Sequence, residues 1–154
     1  MNVDSIDKKV DMLSNIPIFD SISGRELYLI VSYMQVKHVA KDEVVFLEGE
    51  IGDYICFIVS GELDVYKNSI EDKQVLICTL HKGRAIGEMN VLDKFPRSAT
   101  VIARKASRLL ILSNDRFEQI LEEHPRAGIS FFKGIARTLS LSLRNASSRL
   151  ADAL

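Results

Sequence analysis

The residues with the clearest capacity for chemistry lie in one short segment, residues 86–100, which contains Gly87, Glu88 and Arg97. Gly87 permits a tight turn and a close approach of the backbone. Residues 88–92 can form one helical turn whose free amide groups favour an anion. The planar guanidinium of Arg97 matches two phosphate oxygens at once. These residue types in this order predict a phosphate-binding site.

Glu88 adds a second kind of contact to this segment. An ionised carboxylate only accepts hydrogen bonds, so it suits a sugar hydroxyl and would repel a second phosphate. Each residue alone has a simpler explanation, since most exposed Arg side chains are solvated and a Glu can cap a helix or pair with Arg97. The combination with Gly87, Pro96 and Ser98 favours ligand binding.

The elements that must position these residues lie in three regions, which alternate between a helical period and a period of two. Residues 1–35 are predicted to be helical, with one apolar stripe formed by Val3, Ile6, Val10 and Leu13. Residues 36–112 change to a period of two, with turns between short apolar runs at 44–47, 54–59, 63–66, 75–80, 99–103 and 109–112. Such runs predict a mainly β fold, a β-roll or jelly-roll barrel with flanking helices. Residues 113–154 return to a helical period.

The last segment predicts a long C-terminal helix, because its apolar residues alternate at spacings of three and four. These residues are Ile129, Phe132, Ala136, Leu139, Leu143, Ala146, Leu150 and Ala153. We expect Ile129, Phe132 and Ile135 to pack on the β-roll. The distal residues need another partner, and a parallel homodimer is the simplest one.

Composition indicates a single domain covering residues 1–154, with 47% hydrophobic and 27% charged residues. The net charge of -1 argues against nucleic-acid binding. Cys56 and Cys78 lie in apolar runs and are predicted to be reduced core thiols. The N-terminus lacks the pattern of a signal peptide, and no apolar run is long enough to span a membrane, so a cytoplasmic protein is expected.

The pattern does not favour an enzyme. Its three histidines, His38, His81 and His124, are too scattered for the metal site of an enzyme built on a jelly roll. No Ser, Cys or Thr lies in a recognisable nucleophile motif. We therefore expect neither a catalytic residue nor a metal.

Residues 86–100 resemble the phosphate-binding cassette of the cyclic-nucleotide-binding domain family, which includes the sensor domains of catabolite activator protein and protein kinase A regulatory subunits. The matching residues are Gly87, Glu88, Pro96, Arg97, Ser98, Ala99 and Thr100. The resemblance extends to residues 16–19, to Gly49, Gly52 and Asp53, and to residues 60–62. It implies a β-roll domain with cyclic AMP or cyclic GMP as its ligand.

The resemblance also implies a role for each matching residue. Arg97 would pair with the exocyclic phosphate, and Glu88 would accept a hydrogen bond from the ribose 2′-hydroxyl. Gly87 would allow close backbone approach, and Ser98 would add a phosphate contact. Met89, Asn90 and Ala99 complete the predicted site in the cassette, and Ser142 on the long helix would reach the base.

Asn90 departs from the family pattern, which usually has Ala, Ser or Gly at this place. Its larger side chain could point outward, add a hydrogen bond or narrow the pocket. The predicted function is a cyclic-nucleotide sensor that signals through its C-terminal helix to a downstream protein. The alternatives are a dimerising interaction module that binds no nucleotide, and the sensor half of a transcription regulator without its DNA-binding domain.

Overall fold

The computed structural model describes residues 5–154, so Val3 of the predicted first stripe lies outside the described residues. The N-terminal part is helical, with α1 (Ile6–Leu13), a 3₁₀ turn (Pro17–Phe19) and α2 (Gly24–Ser32). Helix α2 begins after Ser23, whose hydroxyl accepts a hydrogen bond from the Glu26 amide at 3.3 Å and so caps the helix.

Eight antiparallel strands follow and form two four-stranded sheets, with the orders β1-β8-β3-β6 and β2-β7-β4-β5. A mainly β jelly roll with flanking helices is thereby confirmed. The strands are β1 (Gln35–Val39), β2 (Val44–Phe46), β3 (Tyr54–Ser60), β4 (Glu62–Asn68), β5 (Gln74–His81), β6 (Ala85–Ile86), β7 (Thr100–Ala103) and β8 (Ser107–Ser113).

Strand β3 separates two cores. Its residues Cys56 and Ile58 face the second sheet and pack with buried residues of β2, β4, β7 and β8. The alternate residues Ile55 and Phe57 face the helices instead. Because successive side chains of a strand point to opposite faces, one apolar strand serves both cores.

The remaining helices are α3 (Glu88–Asp93) within the cassette, α4 (Asn114–Glu123) and α5 (Pro125–Ala153). Helix α5 joins the helical core through Ala127, Gly128, Phe131, Gly134 and Ile135. The Phe131 ring lies 5.2 Å from that of Phe117 and 5.5 Å from that of Phe19, measured between centroids. This aromatic cluster anchors α5 on the body of the protein.

The predicted packing of Ile129 is wrong, because that residue is 52% exposed. Phe132 is half-buried, and Ile135 is buried as expected. The helix packs through a face that includes two glycines: a Cβ at Gly134 would lie 2.1 Å from the Ile18 carbonyl oxygen. Such close approach rotates α5 so that Phe131 enters the core and Ile129 faces outward.

The prediction of two core thiols holds for Cys56 and is wrong for Cys78, which is exposed. Strand β5 lies at the edge of its sheet, and Val75, Leu76 and Ile77 before Cys78 are exposed as well. None of the helices formed by residues 5–154 has an apolar stretch sufficient to cross a bilayer.

Candidate functional site

The cassette begins with a glycine that no other residue could replace without strain. Gly87 has φ 81° and caps the N-terminus of α3. A Cβ at this position would lie 2.3 Å from Nη1 of Arg97 and 3.0 Å from the Tyr54 carbonyl oxygen. The left-handed backbone and the missing side chain together bring the start of α3 against the guanidinium.

Arg97 is held by its backbone as well as by its side chain. Its amide donates a hydrogen bond to the Glu50 carbonyl at 2.6 Å, and its own carbonyl accepts one from the Gly49 amide at 2.8 Å. A bridge between Ile51 and Pro96 continues this pairing. The turn before β3 therefore fixes where Arg97 enters the site.

The Arg97 side chain is 5% exposed and lies in a slot with neutral partners. Nη2 donates to the Tyr54 carbonyl at 2.7 Å, and Nη1 donates to Oδ1 of Asn90 at 2.8 Å. The Phe46 ring covers one face of the guanidinium, with Cζ 3.6 Å from the ring centroid. Cation–π attraction and two hydrogen bonds set the plane of the group.

No carboxylate among residues 5–154 lies within ion-pair distance of Arg97. Burial lowers the pKa of Arg97, whereas the nearby Asp53 and Glu50 act in the opposite direction. A buried cation whose hydrogen-bond partners are all neutral is costly unless an anion completes its environment. The slot is therefore suited to receive an anion.

A cavity of about 240 Å³ opens beside this slot. It is lined by seven of the eight residues that the sequence assigns to the site, namely Gly87, Glu88, Met89, Asn90, Arg97, Ser98 and Ala99. A second cavity of about 440 Å³ lies between the β-roll and α5, and the eighth residue, Ser142, lines it.

Glu88 lines both cavities and so lies where they meet. Burial raises the pKa of its carboxyl group, and the positive charges of Arg84 and Arg97 oppose that shift. Residues 5–154 contain no group of three or more His, Cys, Asp or Glu side chains placed to hold a metal ion. The arrangement is able to bind an anion beside a hydrogen-bond acceptor, with a larger chamber next to it.

Several residues of the site were not predicted from the sequence. Phe46 and the Tyr54 carbonyl reach Arg97 from β2 and β3, and Asn145 and Arg149 line the second cavity beside Ser142. Asn145 and Arg149 are three and seven residues from Ser142 on α5, which places them on one helical face, and this spacing is the signal that could have identified them.

The family model for the cyclic nucleotide-binding domain matches residues 36–124, which include the whole cassette. The cyclic AMP receptor protein of Thermus thermophilus is 25% identical over 146 residues, which cover 90% of this chain and 68% of that protein.

Solved structures agree with this match. A cyclic nucleotide-binding domain from Methylobacillus flagellatus superposes with a TM-score of 0.84 and 28% identity, covering 97% of this chain and 84% of that one. The regulatory domain of Toxoplasma gondii PKA, solved with cAMP, gives a TM-score of 0.68 and 28% identity, and the match covers 75% of this chain and 44% of that one.

Proposed function

Because the chain belongs to the cyclic nucleotide-binding domain family, we propose that it is a regulatory sensor domain that binds a cyclic nucleotide. The buried Arg97 guanidinium carries the proposal, since it faces a cavity and has only neutral hydrogen-bond partners. A singly charged cyclic phosphate supplies the missing anion. The relatives named above are a receptor and a regulatory domain, which supports regulation rather than catalysis.

In the proposed complex, the phosphate occupies the smaller cavity against Arg97, Ser98 and the first amides of α3. The ribose lies at the junction of the cavities, where Glu88 accepts a hydrogen bond from its 2′-hydroxyl. The base enters the larger cavity beneath α5 and meets Ser142. Met89, Asn90 and Ala99 complete the wall of the phosphate cavity.

Cyclic AMP is the first candidate and cyclic GMP the second. The Thermus relative is named for cyclic AMP, and the Toxoplasma domain was solved with it. Ser98 supports testing cyclic GMP as well, because this hydroxyl-bearing residue is exposed and lines the same cavity.

We treat residues 1–154 as one sensor domain whose output element is α5. This helix forms one wall of the larger cavity, so a ligand there contacts α5 directly. Contacts that differ between two positions of α5 would convert binding into a conformational signal. The exposed Leu143 and Leu150 on its distal half support a homodimer through α5.

Titration calorimetry with cyclic AMP and cyclic GMP tests the function on the wild type, Arg97→Ala and Arg25→Ala. Arg25 is an exposed residue of α2 and serves as the matched control. Loss of charge-assisted hydrogen bonds should weaken binding to Arg97→Ala by about ten- to hundredfold, and Arg25→Ala should bind as the wild type does.

Equal affinities of the wild type and Arg97→Ala would overturn the assignment of the phosphate to Arg97. A thermal shift assay gives a second measurement, because a ligand at 100 times its dissociation constant stabilises a protein by about 2.7 kcal/mol. Absence of both heat and thermal shift with either nucleotide would instead favour an interaction module that binds no nucleotide.

A further inference from the structure

Asn90 is a buried residue of the cassette whose side chain contacts two other parts of it. The side chain is 6% exposed and uses both of its polar ends. Oδ1 accepts a hydrogen bond from Nη1 of Arg97 at 2.8 Å, and Nδ2 donates one to the Phe95 carbonyl. A guanidinium only donates and a carbonyl only accepts, so the two partners fix the orientation of the carboxamide.

Gly52 and Phe46 pack against two sides of this contact. A Cβ at Gly52 would lie 2.8 Å from Cγ of Asn90 and 2.6 Å from Cζ of Arg97. The Phe46 ring closes one face of the guanidinium. The contact between Asn90 and Arg97 is therefore a buried one, and loss of its hydrogen bond would leave a buried polar group without this partner.

We propose that Asn90 is a positioning residue that holds the Arg97 guanidinium ready for the phosphate before the ligand arrives. The proposal rests on the proposed function, because the group that is held is the one assigned to the phosphate. Asn90 and the Tyr54 carbonyl each engage a different terminal nitrogen of Arg97. Within residues 5–154 these two bonds engage two of the five N–H groups of the guanidinium, and the other three make no hydrogen bond to the protein.

The proposed role depends on the absence of charge on the Asn90 side chain as well as on its length. An amide fixes the guanidinium without cancelling its charge, whereas a carboxylate of the same shape would pair with Arg97 and repel a phosphate. The bond to Phe95 also ties the guanidinium to the loop between α3 and Pro96. A site ordered in advance loses less conformational entropy when it binds.

This reasoning separates three substitutions. Asn90→Leu removes both hydrogen bonds and keeps four heavy atoms in the side chain, and the side chain in Asn90→Ser is too short to reach Arg97. Both should release the guanidinium. Asn90→Asp should keep it ordered and still weaken binding, because a charge now opposes the ligand. If Asn90 had a purely structural role, no substitution would keep the Arg97 guanidinium ordered and still weaken nucleotide binding.

The first measurement uses the ligand-free full chain. Nitrogen-15 NMR should show a slowly exchanging Arg97 guanidinium signal, identified by its disappearance in Arg97→Lys. We expect the signal to persist in Asn90→Asp and to be lost in Asn90→Leu and Asn90→Ser. Circular dichroism verifies folding, and Asn90→Ser supplies the result if Asn90→Leu does not fold.

The second measurement is titration with the nucleotide that the wild type binds. Asn90→Leu and Asn90→Ser should bind about tenfold or more weakly. Leu92 is an exposed residue of the same helix, and Leu92→Ala should bind the nucleotide as the wild type does. In an Arg97→Lys background, the Asn90 substitutions should have no further effect, because their partner is gone.

Wild-type affinity in Asn90→Leu and Asn90→Ser, with an unchanged Arg97 signal, would overturn the positioning role. A wild type that binds neither nucleotide, but whose Arg97 signal depends on Asn90, would overturn the proposed function and support the positioning role. The two failures are thus distinguishable.

Discussion

Gly52 lies against the guanidinium of Arg97 with no room for a side chain between them. A Cβ at Gly52 would lie 2.6 Å from both Cζ and Nε of Arg97. The backbone of Gly52 is outside the left-handed region, so a larger residue would meet no conformational strain there. The glycine is required for space at the candidate site and not for the turn itself.

A methyl group at Gly52 should therefore impair binding more than folding. We expect Gly52→Ala to displace Arg97 and to weaken nucleotide binding by about tenfold or more. Gly24→Ala is the control, since a Cβ there has open space around it. Calorimetry and thermal unfolding measure the two effects. Unchanged affinity in Gly52→Ala would show that Arg97 tolerates displacement.

The pH dependence of stability should report the burial of Glu88. Burial raises the pKa of this carboxyl group above its ordinary value of 4.5, so the folded state holds the proton more tightly than the unfolded state. The stability that Glu88 contributes is then present at low pH and is lost as the pH rises through the folded-state pKa.

Glu88→Gln should remove the decrease in stability that ionisation of Glu88 causes as the pH rises. We expect the free energy of unfolding of Glu88→Gln, relative to that of the wild type, to increase as the pH rises above 4.5. This difference should become constant once the pH is above the folded-state pKa. Urea unfolding across a pH series measures the difference. The exposed Glu118→Gln is the matched control, and a parallel pH profile for both variants would contradict the prediction.

The exposed stripe on distal α5 should determine the oligomeric state. Leu143 is 69% exposed and Leu150 is 64% exposed. Burial of one such side chain contributes about 1.5–3 kcal/mol, so the double substitution to Glu should weaken a dimer by at least about a hundredfold. Sedimentation equilibrium measures this, with Ser148→Glu as a control away from the stripe. A monomeric wild type at high concentration would exclude the dimer.

The two cysteines should differ in reactivity. Burial raises the pKa of Cys56 to about 12, whereas Cys78 is exposed and lines the same cavity as Arg97. Iodoacetamide should add one group to the native protein, and Cys78→Ser should prevent the addition. Mass spectrometry of the intact chain counts the groups. Saturating nucleotide should slow the reaction, and an equal rate with and without ligand would place the ligand away from Cys78.

The sequence predicted the cassette because its residues are close together in the chain and chemically distinctive. Gly87, Glu88 and Arg97 are near neighbours in sequence, and the structure brings them to one cavity. Phe46 and Tyr54 escaped prediction because they approach Arg97 through pairing of distant segments. That pairing depends on the whole β-roll and leaves no local pattern.

The wrong predictions for Ile129 and Cys78 also arose because burial depends on contacts between distant segments. Helix α5 has apolar residues on more than one side and so offers more than one plausible inner face, and the close contact at Gly134 decides in favour of the one with Phe131. In the same way, the apolar run that contains Cys78 does not reveal that β5 lies at a sheet edge. Periodicity predicts an element and its type, and tertiary packing decides which side it buries.

The close contact between Gly134 and the Ile18 carbonyl gives α5 a fixed point about which the rest of the helix could rotate. The last buried residue of the helix is Ile135, and every residue from 140 onward is exposed. From Gly134 to Ala153 the arm is about 28 Å long, so a rotation of about 10° at this pivot would move the last turn by about 5 Å. A small rotation of α5 beside the larger cavity would thus produce a much larger displacement at the C-terminal end of the helix.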